Sequence, residues 1–328
     1  MTTTAATAAD LAWFFPGQGS QAVGMIKDVL DASAAARAIF ARADEALGEK
    51  LSSLILEGPA ETLTLTANAQ PAIVTASIAV LEAIRERVPE LPTPAFAAGH
   101  SLGEYSALVA AGAMRFEDAL RIVRARGKAM QEAVPAGHGA MSAIIGLDEA
   151  TIERLCAEAS EHTGEPVSPA NYNAPGQIVI AGTTRAVARA GELAGEAKGK
   201  AIPLPVSAPF HCALMKNAAP AVERELSASK LSALAFPVVA NVDAQPNRDP
   251  SRIQDLLIRQ VDGAVRWEAG VRAMHEAGVR RALEIGPGKV LAGLAKKIAK
   301  DVAVLSVNDV ASLDKVAAFL SPQTAGAS

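Results

Sequence analysis

The stretch Gly99-His100-Ser101-Leu102-Gly103 sets a serine between two glycines, after the apolar run AFAA and before the amphipathic run EYSALV. G-x-S-x-G is the pattern of a nucleophile elbow. In that sharp strand-to-helix turn the glycines relieve crowding, the serine oxygen stands exposed, and the next backbone N–H points at the reacting carbonyl oxygen. A serine hydroxyl is a poor nucleophile near neutral pH unless a base takes its proton, so one of the five histidines must serve. His100 is beside Ser101, but neighbouring side chains diverge at such a turn, which suits packing or lining a pocket. His162 and His275 lie in polar, helix-like surroundings and His138 in a glycine-rich loop. His211 differs: it sits in VSAPFHCALM, a proline-containing loop that returns the chain from one unit to another. Bases tend to stand on such loops over a rigid scaffold. A third, acidic member is not evident. Asp118 and Asp148 precede His211 in the usual hydrolase order, yet both fall at expected helix starts, where an acid caps the helix. A backbone or amide acceptor is the alternative partner for the imidazole.

Arg126 lies in FEDALRIVRARGKAMQEAV, where Ala119, Ile122, Val123, Ala129, Met130 and Ala133 recur at helical spacing. The guanidinium therefore falls on the inward stripe and needs a partner. An internal salt bridge or a snorkelling stem would satisfy it, and so would a substrate carboxylate held by the planar two-bond fork that lysine lacks. FFPGQGSQ offers backbone N–H groups after a strand, to complete an oxyanion hole with that of Leu102. Gly17-x-Gly19-x-x-Ala22 nominally fits a dinucleotide fingerprint, but Pro16 opens the turn and no second strand ends in an acid about 20 residues on. Gly286-Pro287-Gly288-Lys289 is no P-loop: the earlier glycine is missing and Val290 replaces the magnesium-binding Ser/Thr.

The elements that must position these groups alternate. Strands are expected over 11–15, 95–98, 238–241 and 281–285, and helices over 33–46, 70–88, 102–111 and 116–134, an α/β pattern with a mostly parallel sheet. Between them lies a finer-grained unit: strand 140–147, helix 149–161, strands 167–172 and 177–181, helix 184–197, strand 201–206. That order, βαββαβ, is ferredoxin-like and reads as an insertion. The expected domains are a large one over 10–137 and 204–318 and a small one over 138–203, with flexible termini at 1–9 and 319–328.

The chain has 328 residues, half of them hydrophobic, enough for a large core. Its 31 Lys and Arg against 35 Asp and Glu give a net charge of -4 with no basic tract, which argues against a nucleic-acid partner. Cys156 and Cys212 follow no metal-ligand spacing, and the lack of a cysteine framework suits a reducing compartment. The leader MTTTAATAAD has no basic or long apolar region, and no run reaches about 18 uninterrupted apolar residues. A cytoplasmic protein without membrane attachment is expected.

Taken in order, FPGQGSQ, GHSLGEYSALV, RGKAMQ, NYNAPGQIVIAG, PVSAPFHCALM and EIGPGKVL strongly resemble the bacterial malonyl-CoA:acyl carrier protein transacylase family, over about residues 11–310. The resemblance implies a malonyl ester on Ser101, His211 as base, and Arg126 against the malonyl carboxylate. It further implies an oxyanion hole from the backbone of Gln18 and Leu102, and Gln260 supporting His211 through its main-chain carbonyl. Phe210, before the histidine, accords with a preference for malonyl; His100, Met130 and Asn171 would complete the substrate pocket. The implied fold is an α/β-hydrolase-like large domain with an inserted ferredoxin-like small domain. The implied reaction is ping-pong transfer of malonyl from malonyl-CoA to the phosphopantetheine thiol of acyl carrier protein, supplying fatty acid synthesis. Coenzyme A thioester enters as substrate, with no permanently bound cofactor and no metal, and a monomer is expected. The alternative from another reaction class is a serine hydrolase or thioesterase acting on acyl-CoA.

Overall fold

The computed structural model describes residues 7–135, 137–206 and 208–321. Its larger sheet is built from β1 (Thr7–Phe15), β2 (Thr93–Gly99), β7 (Val238–Val239), β8 (Pro246–Asn247), β9 (Arg281–Ile285) and β10 (Ala303–Val307). The spatial order is β10-β9-β1-β2-β7-β8, with all pairs parallel except β7–β8. β1 shows why the sheet is central: Leu11, Trp13 and Phe15 point into one apolar cluster, and Ala12 and Phe14 into another on the opposite face. Both faces are buried, as a parallel sheet requires. The helix Thr66–Arg87 is the one described helix long and apolar enough to cross a membrane, yet 83% of that stretch is buried inside the protein. It is a core helix.

The second sheet joins β3 (Gly139–Ile145), β4 (Val167–Ala174), β5 (Gln177–Thr183) and β6 (Lys200–Pro203) in the order β4-β5-β3-β6, all antiparallel. Helices Glu149–Thr163 and Thr184–Glu196 supply Leu155, Ala159, Val187 and Leu193 to its own core with Ile144, Ile178 and Ile180. Its edge strand is stitched to the large sheet's side of the molecule. The Tyr172 N–H donates to the Val265 carbonyl at 2.9 Å, and the Val265 N–H to the Ala170 carbonyl at 2.8 Å.

Several element boundaries differ from the sequence reading. β1 starts at Thr7, so residues 7–9 belong to it and not to a loose leader, and the last helix, Val316–Leu320, takes in two residues assigned to the tail. The rest of the expected termini, 1–6 and 322–328, lies outside the described residues. The helix expected from residue 70 starts at Thr66, with Pro71 inside it. The strand expected over 238–241 is only Val238–Val239, because Asn241 turns away to serve the elbow. β10 and the two-residue β8 add to the sheet beyond the strands read from sequence.

Candidate active site

The site sits where β1 and β2 end side by side, Phe15 opposite Gly99. Their following turns touch, which places the site at the carboxyl ends of parallel strands, the usual crevice of α/β sheets. Both glycines of the elbow are obligatory. A Cβ on Gly99 would lie 1.9 Å from the Gly103 carbonyl carbon, and one on Gly103 would lie 2.3 Å from the Phe15 oxygen. Ser101 between them has φ 52°, a left-handed conformation uncommon for a residue with a Cβ. The helix Gly103–Ala110 starts two residues later, so Leu102 presents its N–H at the helix start. The Gly17-x-Gly19 turn is followed by a helix only at Lys27, so it lacks the strand-turn-helix geometry of a dinucleotide site.

Ser101 Oγ is 2.7 Å from His211 Nε2. His211 Nδ1 faces the carbonyl oxygens of Gln260 at 3.0 Å and Gly263 at 3.1 Å. A carbonyl only accepts, so Nδ1 carries the proton, and bare Nε2 accepts from the serine hydroxyl. Two main-chain oxygens thus occupy the position beside the imidazole that a triad acid takes elsewhere. Asp118 pairs with Arg121, and Asp148 caps the helix Glu149–Thr163 through the Thr151 N–H, so neither faces the histidine. Burial first, then the charge of Arg126 and the proximity of His100, push His211 down to about 3. The free imidazole is therefore neutral, the form a base needs.

Arg126 is 1% exposed. Its Nη1 donates to Gln70 Oε1 at 2.8 Å, and its Nη2 to Ser101 Oγ and Gln260 Oε1, each at 3.0 Å. All three partners are neutral. The Arg126 Nε–H has no partner among the described residues. Of the three sequence readings, neither an internal salt bridge nor a snorkelling stem is what the described residues hold: no carboxylate lies within ion-pair distance of the guanidinium, and the whole side chain is buried. Burial lowers the Arg126 pKa, with Tyr105 and Glu104 opposing, but a guanidinium stays charged in a protein.

A cavity of about 530 Å³ opens over these groups, lined among others by Gln18, His100, Ser101, Arg126, Met130, Asn171, Phe210 and His211. Its size suits a small ligand. Leu102 and Gln260 are fully buried behind it. Gln18 is anchored from its side chain, Nε2 donating to Thr66 Oγ1 at 3.0 Å. His100 Nε2 meets Asn173 Oδ1 at 2.8 Å and its ring packs near Trp267; burial lowers its pKa. His162 and His138 do not line the cavity, and His275 pairs with Asp301 on the surface.

Four polar residues of the site were not singled out from sequence: Gln70, Glu104, Asn173 and Asn241. Asn241 Oδ1 accepts the Ser101 N–H at 2.7 Å, and its Nδ2 donates to the Gly99 carbonyl at 2.8 Å, bracing the elbow from across the sheet. Polar residues in otherwise apolar runs, such as the asparagine ending PVVAN, are the only local signal of such roles.

Fold and site together define an α/β acyl-transferring enzyme with a serine nucleophile, and residues 12–318 match the family model described as acyl transferase domain. Within that class, the chain is 49% identical over 305 residues to the malonyl CoA-acyl carrier protein transacylase of Bacillus subtilis, covering 93% of this chain and 95% of the relative. It is 48% identical to the Escherichia coli K12 protein of the same name, over 92% of this chain and 97% of that one. A crystal structure of an acyl carrier protein S-malonyltransferase from Vibrio cholerae superposes with TM-score 0.90 at 50% identity, covering 94% and 99% of the two chains. A malonyl-transacylase solved in complex with its type II polyketide acyl-carrier protein superposes with TM-score 0.89 at 46% identity, covering 93% and 98%. The chain belongs to the malonyl CoA-acyl carrier protein transacylase family.

Proposed function

We propose that this chain moves a malonyl group from malonyl-CoA to the phosphopantetheine thiol of acyl carrier protein, through a malonyl ester on Ser101. Nε2 of His211 takes the hydroxyl proton as Ser101 Oγ attacks the thioester carbonyl; the resulting oxyanion is held by the N–H groups of Gln18 and Leu102. The C–S bond then breaks, and coenzyme A leaves as a thiol with the proton from His211. In the second half the carrier thiol gives its proton to His211 and its sulfur attacks the ester; Ser101 leaves, recovering the proton. The Nδ1–H bonds to Gln260 and Gly263 keep the imidazole in one tautomer and orientation throughout.

The observation that carries this reading is Arg126: a buried guanidinium whose hydrogen-bond partners are all neutral, 3.0 Å from Ser101 Oγ. Burying such a charge is costly, and a ligand carboxylate is the partner that offsets the cost. Malonyl has one and acetyl does not. The test is intact-mass analysis of the protein after exposure to malonyl-CoA, followed by addition of holo acyl carrier protein. An adduct on Ser101 that moves to the carrier supports the reading. Release of free malonate as fast as carrier loading would make the protein a hydrolase, and no adduct at all would remove catalysis.

A further inference from the structure

Glu104 follows Ser101 by three residues, is 3% exposed, and takes no part in the steps above. Its Oε2 accepts two hydrogen bonds from neutral groups: the Gln260 side-chain Nε2 at 2.7 Å and the Asn241 main-chain N–H at 3.0 Å. Each partner leads to the reacting groups. The Gln260 amide donates also to the Ser101 carbonyl at 3.0 Å and accepts from Arg126 Nη2 at 3.0 Å, so both its hydrogens and its oxygen are in use. The Asn241 side chain holds the N–H of Ser101 and the carbonyl of Gly99, the two ends of the strained turn.

We propose that Glu104 is a positioning residue for acyl transfer: one carboxylate oxygen fixes the Gln260 arm that aims Arg126 and the Asn241 brace that holds the Ser101 turn. The inference rests on the transacylase reading. A buried carboxylate between neutral donors costs free energy that an apolar residue would not, and its removal orphans two buried N–H groups. Burial raises the Glu104 pKa to about 7, against the two hydrogen bonds, which accords with a group kept in place for its acceptor oxygen. The two arms differ in what they govern. The Gln260 arm acts chiefly on Arg126 and so on malonyl far more than on acetyl, whereas the Asn241 brace acts on the serine and so on any acyl group equally.

The experiment compares rates of Ser101 loading by malonyl-CoA and acetyl-CoA in Glu104→Met, Glu104→Gln and Asn241→Ala, each first shown folded by circular dichroism and a thermal melt. Glu104→Met keeps the volume and removes the acceptor; it should slow both loadings and reduce the malonyl-to-acetyl ratio about tenfold. Glu104→Gln, whose amide oxygen can take both donors, should return the ratio to within about threefold of the parent. Asn241→Ala should slow both loadings by the same factor and leave the ratio unchanged. A ratio within twofold of the parent in folded Glu104→Met overturns the proposal. If that variant does not fold, Glu104→Asp decides, since its shorter side chain cannot reach both donors: an unchanged ratio there overturns it equally. Failure of the parent protein to load malonyl would instead sink the transacylase reading, so the two failures are distinguishable.

Discussion

Arg126→Ala should cost malonyl transfer about a hundredfold to a thousandfold and acetyl transfer far less. A guanidinium has five N–H donors, of which three are engaged in the free protein, leaving Nε–H and one hydrogen on Nη1. Once Ser101 attacks, its Oγ becomes an ester oxygen, a poorer acceptor, and the Nη2–H it held is released. One hydrogen on each terminal nitrogen is then available, the parallel fork that grips a carboxylate. Two hydrogen bonds to a charged group are worth about 1.5–3 kcal/mol each. Taken as a non-additive pair they supply roughly 3–4 kcal/mol, and a tenfold change in rate corresponds to about 1.4 kcal/mol. The expected loss in kcat/KM for malonyl-CoA is therefore on the order of 10²–10³. Acetyl-CoA forfeits only the contact between Nη2 and Ser101 Oγ, one hydrogen bond worth roughly tenfold or less. Rapid-quench mass spectrometry of the acyl-Ser101 adduct with both thioesters gives the ratio directly, with a thermal melt to show that the variant is folded. Arg126→Lys should fall between, because an ammonium supplies charge without the fork. Equal losses for the two thioesters would refute the carboxylate argument.

With His211 held down to about 3, Ser101 loading should show no acidic limb near pH 6.5, the ordinary histidine value, when kcat/KM is followed from pH 5 to 8. The same depression makes the folded form bind fewer protons than the unfolded one below about pH 6.5, so His211 contributes a loss of stability as pH falls from there toward about 3. Glu104 works in the opposite direction: raised from 4.5 to about 7, it makes the folded form lose stability as pH rises across that window, and Glu104→Gln should flatten that part of a denaturant-midpoint profile. Gly103→Ala drives a Cβ to 2.3 Å from the Phe15 oxygen and 2.8 Å from that of Pro16. Overpacking against backbone should destabilise by about 3 kcal/mol or more, seen as a lowered melting temperature, or as failure to fold.

The sequence made Ser101, His211 and Arg126 visible for different reasons. The elbow announces itself through glycines whose absent side chains the backbone needs, and Arg126 through a charge on an apolar stripe. His211 stood out only by its place after the small unit. The orienting partner escaped a reading of residue types because it is a main-chain carbonyl, which every residue owns; only the family resemblance pointed to Gln260. Asn241 and Glu104 were hidden because their meaning lies in contacts 137 to 156 residues apart, which no local period encodes. Asn241 even read as strand, since its apolar neighbours carried the pattern. β10 was passed over because Ala303–Val307 is short and only its last residue is buried.

The stitching of β4 to Val265 couples the small sheet to the main chain behind His211. Val265 is two residues beyond Gly263, whose carbonyl faces His211, and Asn171 on the same stretch of β4 lines the cavity. Two main-chain hydrogen bonds therefore tie one wall of the cavity to the segment that faces His211. The two bonds hold the Asn171 side of the cavity in register with the segment carrying the Gly263 carbonyl, so a shift of the small sheet would reach the main-chain support of the His211 ring.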